Sequence, residues 1–116
     1  MATDFNKLQQ ETKKTIESEG SILTIIRKDV DYDPSDLSTA ETKEEETTYG
    51  ISLGFNSKYV RGTLVQAGDV RLMIPGDLSI SKEEEIILNG QSYEIVSVFK
   101  QIQGNVVLYQ EILIRS

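Results

Sequence analysis

Two apolar runs on either side of the dipeptide Asn89-Gly90 form the clearest pattern in the chain. The first run is residues 86–88 and the second, which alternates with polar residues, is residues 93–99. An Asn-Gly pair readily adopts the positive φ angles of a type I′ turn, which suits antiparallel strands. The pattern therefore predicts a hairpin in which Leu88 pairs with Gln91. This register places four residues on one face, which we expect to point into a core: Ile86, Leu88, Tyr93 and Ile95.

Similar alternation predicts further short strands within residues 21–27, 49–55, 59–65 and 70–74. Six or seven such strands, separated by glycine turns, are typical of a small antiparallel β-barrel or sandwich, so the predicted class is mainly β. The inward candidates of these strands form the predicted core, which comprises Ile25, Leu53, Leu72, Ile86, Leu88, Tyr93, Ile95 and Leu108.

The last predicted strand, residues 106–114, follows a turn at Gly104-Asn105 and is apolar on both faces. Such a strand is either buried on both faces or covered on one face by another chain. Its outer residues Val107, Tyr109 and Leu113 are therefore candidates for a subunit interface, and burial within one closed barrel accounts for them equally well.

The N-terminal segment, residues 1–20, has a helical pattern. Thr3 is the predicted N-cap, Gly20 is the predicted end, and a thin apolar stripe between them has near-helical spacing. A helix with so few apolar residues is expected on the surface of the barrel or at a subunit boundary.

Residues 29–48 contain few apolar residues, one proline and a strong excess of like charge. This composition predicts a long acidic loop, and a loop of that length in a small domain is more often functional than not. The predicted organisation is a single domain, residues 1–116, with a helical segment at 1–20, a β-barrel from 21–28 and 49–116, and the acidic loop at 29–48.

The charge of the chain is unevenly distributed. Residues 29–48 hold eight acidic side chains and one lysine, so their net charge of −7 equals that of the whole chain. One segment thus carries the entire imbalance, which indicates a specific acidic feature on a neutral body. An acidic protein also lacks the cationic surface on which affinity for nucleic acid depends.

The chain has no cysteine and no histidine. Disulfides and zinc–thiolate sites are therefore excluded, and the side chain most used for proton transfer near neutral pH is absent. We expect no catalytic residue, no cofactor and no metal site, and hence a protein that is not an enzyme. The polar N-terminus and the lack of eighteen consecutive apolar residues predict neither a secretory leader nor a membrane span.

Two acidic motifs partly match chemical sites. Asp29-x-Asp31-x-Asp33 matches the first ligand positions of a calcium-binding loop, but Pro34 stands where that loop requires glycine and Ala40 where it requires glutamate. In residues 83–85, adjacent glutamates on a strand would point to opposite faces, which does not suit paired acid and base catalysis. Solvated acidic surface is the better interpretation of both.

Three stretches resemble the second half of the head-completion proteins of tailed bacteriophages. They are residues 68–75, with a Gly-Asp turn before a strand, residues 89–98, with the Asn-Gly hairpin, and Gly104 before a strand that ends in Ile-Leu-Ile-Arg. The resemblance covers about residues 62–115. Gln103 departs from it, because the family often has proline before that glycine.

The resemblance implies a stopper or head–tail connector: a small β-barrel whose copies form a homo-oligomeric ring at the head–tail junction of the virion, after synthesis in the host cytoplasm. Its implied partners are portal or adaptor proteins above, tail proteins below and packaged double-stranded DNA in the channel, with no membrane. In related stoppers a long loop projects into that channel, and the corresponding candidates here are Asp33, Asp36, Glu41, Glu44, Glu45 and Glu46. The alternatives are a tail-terminator or tail-completion ring, and an acidic module that mimics DNA.

Overall fold

The computed structural model of the chain describes residues 4–33, 38–54, 58–60 and 62–116, with only the backbone described for residues 28–33 and 38–43. One helix is followed by eight strands: α1 Phe5–Glu19, β1 Ser21–Asp33, β2 Ser38–Leu53, β3 Tyr59–Val60, β4 Thr63–Leu64, β5 Val70–Pro75, β6 Glu85–Leu88, β7 Gln91–Gln103 and β8 Val106–Arg115.

Six strands form a closed antiparallel barrel in the order β1-β2-β5-β8-β7-β6, and β3 pairs with β4 in a separate hairpin. The mainly β fold with one short N-terminal helix is thus confirmed. The predicted Asn89-Gly90 hairpin is confirmed in its register, since Leu88 lies opposite Gln91. Asn89 and Gly90 have φ angles of 53° and 77°, as a type I′ turn requires.

Among the described residues, the barrel interior is filled by aliphatic side chains from five of the six barrel strands, with none from β2. Six of the eight predicted core residues are buried, and Tyr93 packs against the core while remaining partly exposed. The buried core cluster comprises Leu23, Ile25, Leu72, Ile74, Ile80, Ile86, Leu88, Ile95, Ile112 and Ile114.

Leu53 is an exception, because the register of β2 places it on the outer face. Ser52 lies opposite the buried Leu72, whereas Leu53 lies opposite Arg71. The inner positions of β2 are occupied by small residues because large neighbours already fill that space. A Cβ atom at Gly50 would lie 2.9 Å from Cδ2 of Leu23, for example. The prediction of Leu53 as a core residue was wrong for this reason.

Helix α1 packs against β8, β2 and β5 on the surface of the barrel. Its N-cap is Asp4, whose side chain accepts a hydrogen bond from the Lys7 N–H at 3.1 Å, so the predicted cap at Thr3 was one residue too early. Ile16 is fully buried. At the C-terminal end, the Gly20 N–H donates to the Ile16 carbonyl at 2.8 Å.

The segment predicted to be an acidic loop, residues 29–48, is instead largely strand. β1 continues to Asp33, β2 begins at Ser38, and the two pair throughout. β-Branched and aromatic residues in this segment favour strands, among them Val30, Tyr32 and Thr39. The prediction gave too much weight to net charge.

Candidate functional site

The most distinctive feature of the molecule is a two-stranded ribbon that extends β1 and β2 beyond the barrel. Among the described strands, β6 pairs with β1 only at residues 23–26, and β5 pairs with β2 only at residues 51–53. The β1–β2 ladder nevertheless continues from Arg27 opposite Glu44 to Asp33 opposite Ser38. These seven pairs give the extension a length of about 20 Å at about 3.4 Å per residue. We call residues 27–33 and 38–46 the acidic ribbon.

The overall dimensions agree with a projecting ribbon. The radius of gyration is 16.4 Å and the longest extent is 59 Å. A compact chain of this length would have a radius of gyration of about 13 Å. The molecule is therefore elongated, which a compact barrel alone does not explain.

The register of the ribbon shows how so acidic a segment can form regular strands. Each aspartate of β1 in this region lies opposite a neutral residue of β2: Asp29 opposite Thr42, Asp31 opposite Ala40 and Asp33 opposite Ser38. Like charges directly opposite each other would destabilise the ladder. The acidic positions are thus staggered, and the ladder forms without opposed carboxylates, although Lys28 and Lys43 are register partners in it.

An ion-pair cluster fixes the base of the ribbon to the barrel. Arg27 Nη1 lies 2.6 Å from Glu46 Oε2, and Arg27 Nε lies 3.4 Å from Glu84 Oε1. Arg27 Nη2 also donates to the Ser79 carbonyl at 2.5 Å. Partial burial opposes the charge of Arg27, but the hydrogen bonds and charges of Glu46 and Glu84 outweigh it and raise its pKa. One guanidinium therefore joins β1, β2 and the β5–β6 connection.

The structure places most of the predicted channel residues on this ribbon. Asp33 ends β1 and Glu41 lies in the middle of the paired part of β2. Glu44, Glu45 and Glu46 are exposed at its base, where Glu46 also binds Arg27. Asp36 lies outside the described residues. The ribbon holds seven acidic and three basic residues, so its net charge is negative, and charge of that sign repels phosphate.

The predicted subunit-interface residues lie on β8 and are mostly covered within one chain. Leu113 is only 1 % exposed. Val107 and Tyr109 are partly buried, and the Gln9 side chain of α1 donates to the Val107 carbonyl at 2.8 Å. Burial within a single subunit thus accounts for Leu113, which is not available to contact a neighbour.

Two arginine–carboxylate pairs on the outer face of β5 and β8 were not predicted. Arg71 lies 2.8 Å from Glu111, and it also donates to the Gly54 carbonyl at 3.1 Å. Arg115 binds both carboxylate oxygens of Asp69 at 2.9 Å. The hydrogen bonds from Arg115 lower the pKa of Asp69. These pairs join residues that are far apart in sequence, so no local pattern indicated them.

A polar groove lies between α1 and the base of the ribbon. Lys13 Nζ lies 2.8 Å from Asp77 Oδ2, and this hydrogen bond raises the pKa of Lys13. The groove has a volume of about 250 Å³ and is lined by Lys13, Glu17, Glu46, Thr47, Thr48, Tyr49, Pro75, Asp77 and Leu78. This lining is more polar than is usual for a small-molecule site. We therefore interpret the groove as the space between α1 and the base of the ribbon, and not as a binding site.

Within the part of the chain that the structure describes, no three His, Cys, Asp or Glu side chains are placed to hold a metal ion. Likewise, no helix among the described residues has the length and apolar character needed to cross a bilayer. Comparison of the chain with protein-family models and with curated proteins gives no match.

Proposed function

We propose that this chain is a structural subunit of a tailed-phage virion, a stopper or head-completion connector whose copies form a ring below the portal. In this role the ring closes or gates the DNA channel and provides a surface for tail docking. The protein carries out no reaction of its own. We base this proposal on the sequence resemblance over residues 62–115 and on the barrel with its long projection.

The observation that carries the proposal is the acidic ribbon. A connector needs a rigid body that can pack into a ring and an element long enough to reach the channel axis. The closed barrel meets the first requirement, and the ribbon of about 20 Å meets the second. The ribbon is the far end of the β1–β2 ladder, and in the stoppers that the sequence resembles the channel loop lies between early strands.

The charge of the ribbon determines how it would act on DNA. Its carboxylates repel phosphate, so a closed set of ribbons blocks DNA sterically and an open set keeps DNA from adhering to the wall. Ribbons that converge on the axis also repel one another over the screening length of about 8 Å at physiological ionic strength. Closure therefore requires cations or contacts between neutral residues.

Purified protein mixed with purified portal complexes provides the test. Mass photometry and electron microscopy should show a ring of this chain bound to the portal, because docking supplies the template that orders the subunits. A ring on tail tubes instead of portals would identify a tail terminator. Binding to neither, with capture by a nucleic-acid-binding protein, would contradict the virion role and support a DNA mimic.

A further inference from the structure

The outer face of β1 and its neighbours carries an exposed apolar surface. Leu23 and Ile25 point into the core, so the alternate residues Ile22 and Ile26 face outward. Ile22 is 58 % exposed and lies directly opposite Tyr49 of β2, which is 36 % exposed. We call Ile22, Ile26, Tyr49 and the adjacent outward Ile87 of β6 the β1 patch.

A second exposed apolar surface lies on the small β3–β4 hairpin. Tyr59 and Leu64 are cross-strand partners in that hairpin and are 57 % and 50 % exposed. Two large apolar side chains side by side in solvent indicate a contact surface better than either would alone. We call this pair the hairpin patch.

The two patches lie on different parts of the molecule. In the closed strand order, β1 is three strands away from β8 in either direction. The hairpin patch is held on the β8 side, because Arg115 at the end of β8 donates to the Leu64 carbonyl at 3.1 Å. The Asp69 pair of the same arginine fixes the chain that follows the hairpin.

The charges beside the two patches are opposite. Ile26 of the β1 patch lies between two acidic register partners, Glu45 of β2 and Glu85 of β6. Lys58, which precedes Tyr59 in the hairpin patch, is exposed. A lysine on one copy can therefore meet carboxylates on the next when the apolar surfaces are in contact.

We infer that the β1 patch of one copy binds the hairpin patch of the next copy in a head-to-tail interface. Contact between two different surfaces of a subunit generates a ring when the rotation closes, whereas a self-complementary surface generates a twofold dimer. The inference rests on the proposed function in that this contact would close the connector ring. It assigns the subunit contact to these patches and not to the β8 residues Val107, Tyr109 and Leu113.

The cysteine-free sequence permits a direct test by disulfide trapping. The variants are Ile22→Cys, Leu64→Cys and the double variant, each checked for native circular dichroism and oxidised mildly at high protein concentration. A disulfide forms only when the two Cα atoms approach to about 4.4–6.8 Å. The double variant should give dimers, trimers and larger products. Each single variant should stay monomeric, and an equal mixture of the two should give dimers only.

The matched control is the double variant Glu19→Cys, Lys100→Cys, whose two positions are exposed and lie outside the two patches. It should give no ladder, that is, no series of disulfide-linked dimers, trimers and larger products. Dimers from either single variant alone would show a twofold contact and overturn the inference. The absence of a ladder from the Ile22/Leu64 pair would also overturn it.

Charge reversal adds a second measurement. Lys58→Glu in the double-cysteine background should slow cross-linking at least several-fold, and adding Glu45→Lys and Glu85→Lys should restore it. Equal cross-linking rates for the parent double-cysteine variant, the Lys58→Glu variant and the variant with all three charge changes would contradict the charge pairing. Because these experiments use purified protein, a ladder without portal binding would leave the contact intact and remove the phage role. Portal binding without cross-linked products would support the phage role and overturn the proposed contact.

Discussion

Replacing two isoleucines on the same strand tests the barrel register with matched chemistry. Ile25 is fully buried in the core, whereas Ile22, three residues earlier on β1, is 58 % exposed. Truncation of a buried isoleucine to alanine costs about 2–5 kcal/mol, through lost burial and the cavity left behind. The same change at an exposed position costs about 0.5 kcal/mol, with some further loss from lower β propensity.

These energies correspond to clearly different melting temperatures. An unfolding entropy of about 2.1 cal/mol/K per residue gives about 0.24 kcal/mol/K for the whole chain. Ile25→Ala should therefore lower Tm by about 8–20 °C, and Ile22→Ala by only about 2–4 °C. Thermal and urea denaturation followed by circular dichroism, at protein concentrations low enough to prevent association, give both values. Equal shifts, or a larger shift for Ile22→Ala, would refute the assignment of the two faces of β1.

Two further predictions concern the attachment of the helix and an ion pair. Gly104→Ala and Gly90→Ala both place alanine at a positive φ, but only a Cβ at Gly104 would meet Phe5, at 2.5 Å from its Cδ2. The first variant should therefore lose about 1 kcal/mol more in urea denaturation, and equal losses would exclude that contact from the docking of α1. Asp69→Asn removes the carboxylate that Arg115 stabilises. Because the pKa of Asp69 is lowered in the folded state, this stabilisation is present above the pKa of the unfolded state and is lost as pH falls. The difference in unfolding free energy between wild type and Asp69→Asn should shrink as pH falls from about 5 to about 2. A difference that stays constant over this range would contradict a stabilising role for the Asp69 carboxylate.

The features that were predicted correctly are those determined by local chemistry. Asn89-Gly90 specifies its turn, and the alternation after it places Ile86 and Ile95 inside. The length of α1 follows from its spacing and from Gly20, although the cap lies at Asp4. These features depend on residues a few positions apart, so a single sequence contains enough information to predict them.

The features that were missed depend on pairing between distant residues. The ribbon forms because its register places Asp29 and Asp31 opposite neutral partners, which composition alone does not reveal. The outward position of Leu53 follows from its pairing with Arg71 in β5. The Arg115–Asp69 pair likewise appears only when β8 lies beside β5. For the ribbon, alternating β-branched and aromatic residues were a signal that could have been used.

We propose that the acidic ribbon lines the DNA channel of a connector ring. The most direct measurement is DNA release from assembled particles as a function of ionic strength, with wild type beside the Glu44→Gln, Glu45→Gln, Glu46→Gln triple variant. A matched control replaces three exposed glutamates far from the ribbon in sequence, Glu11→Gln, Glu19→Gln and Glu94→Gln.

We predict that the ribbon variant still folds and assembles, because Glu84 and the Ser79 carbonyl still bind Arg27 and Glu85 remains beside the β1 patch, but that it releases DNA at a different rate. That difference should shrink as salt rises, because screening removes the repulsion in the wild type. The control should follow the wild-type curve. Identical release curves for wild type and the ribbon variant at every ionic strength would contradict the claim that the charge of the ribbon acts on DNA.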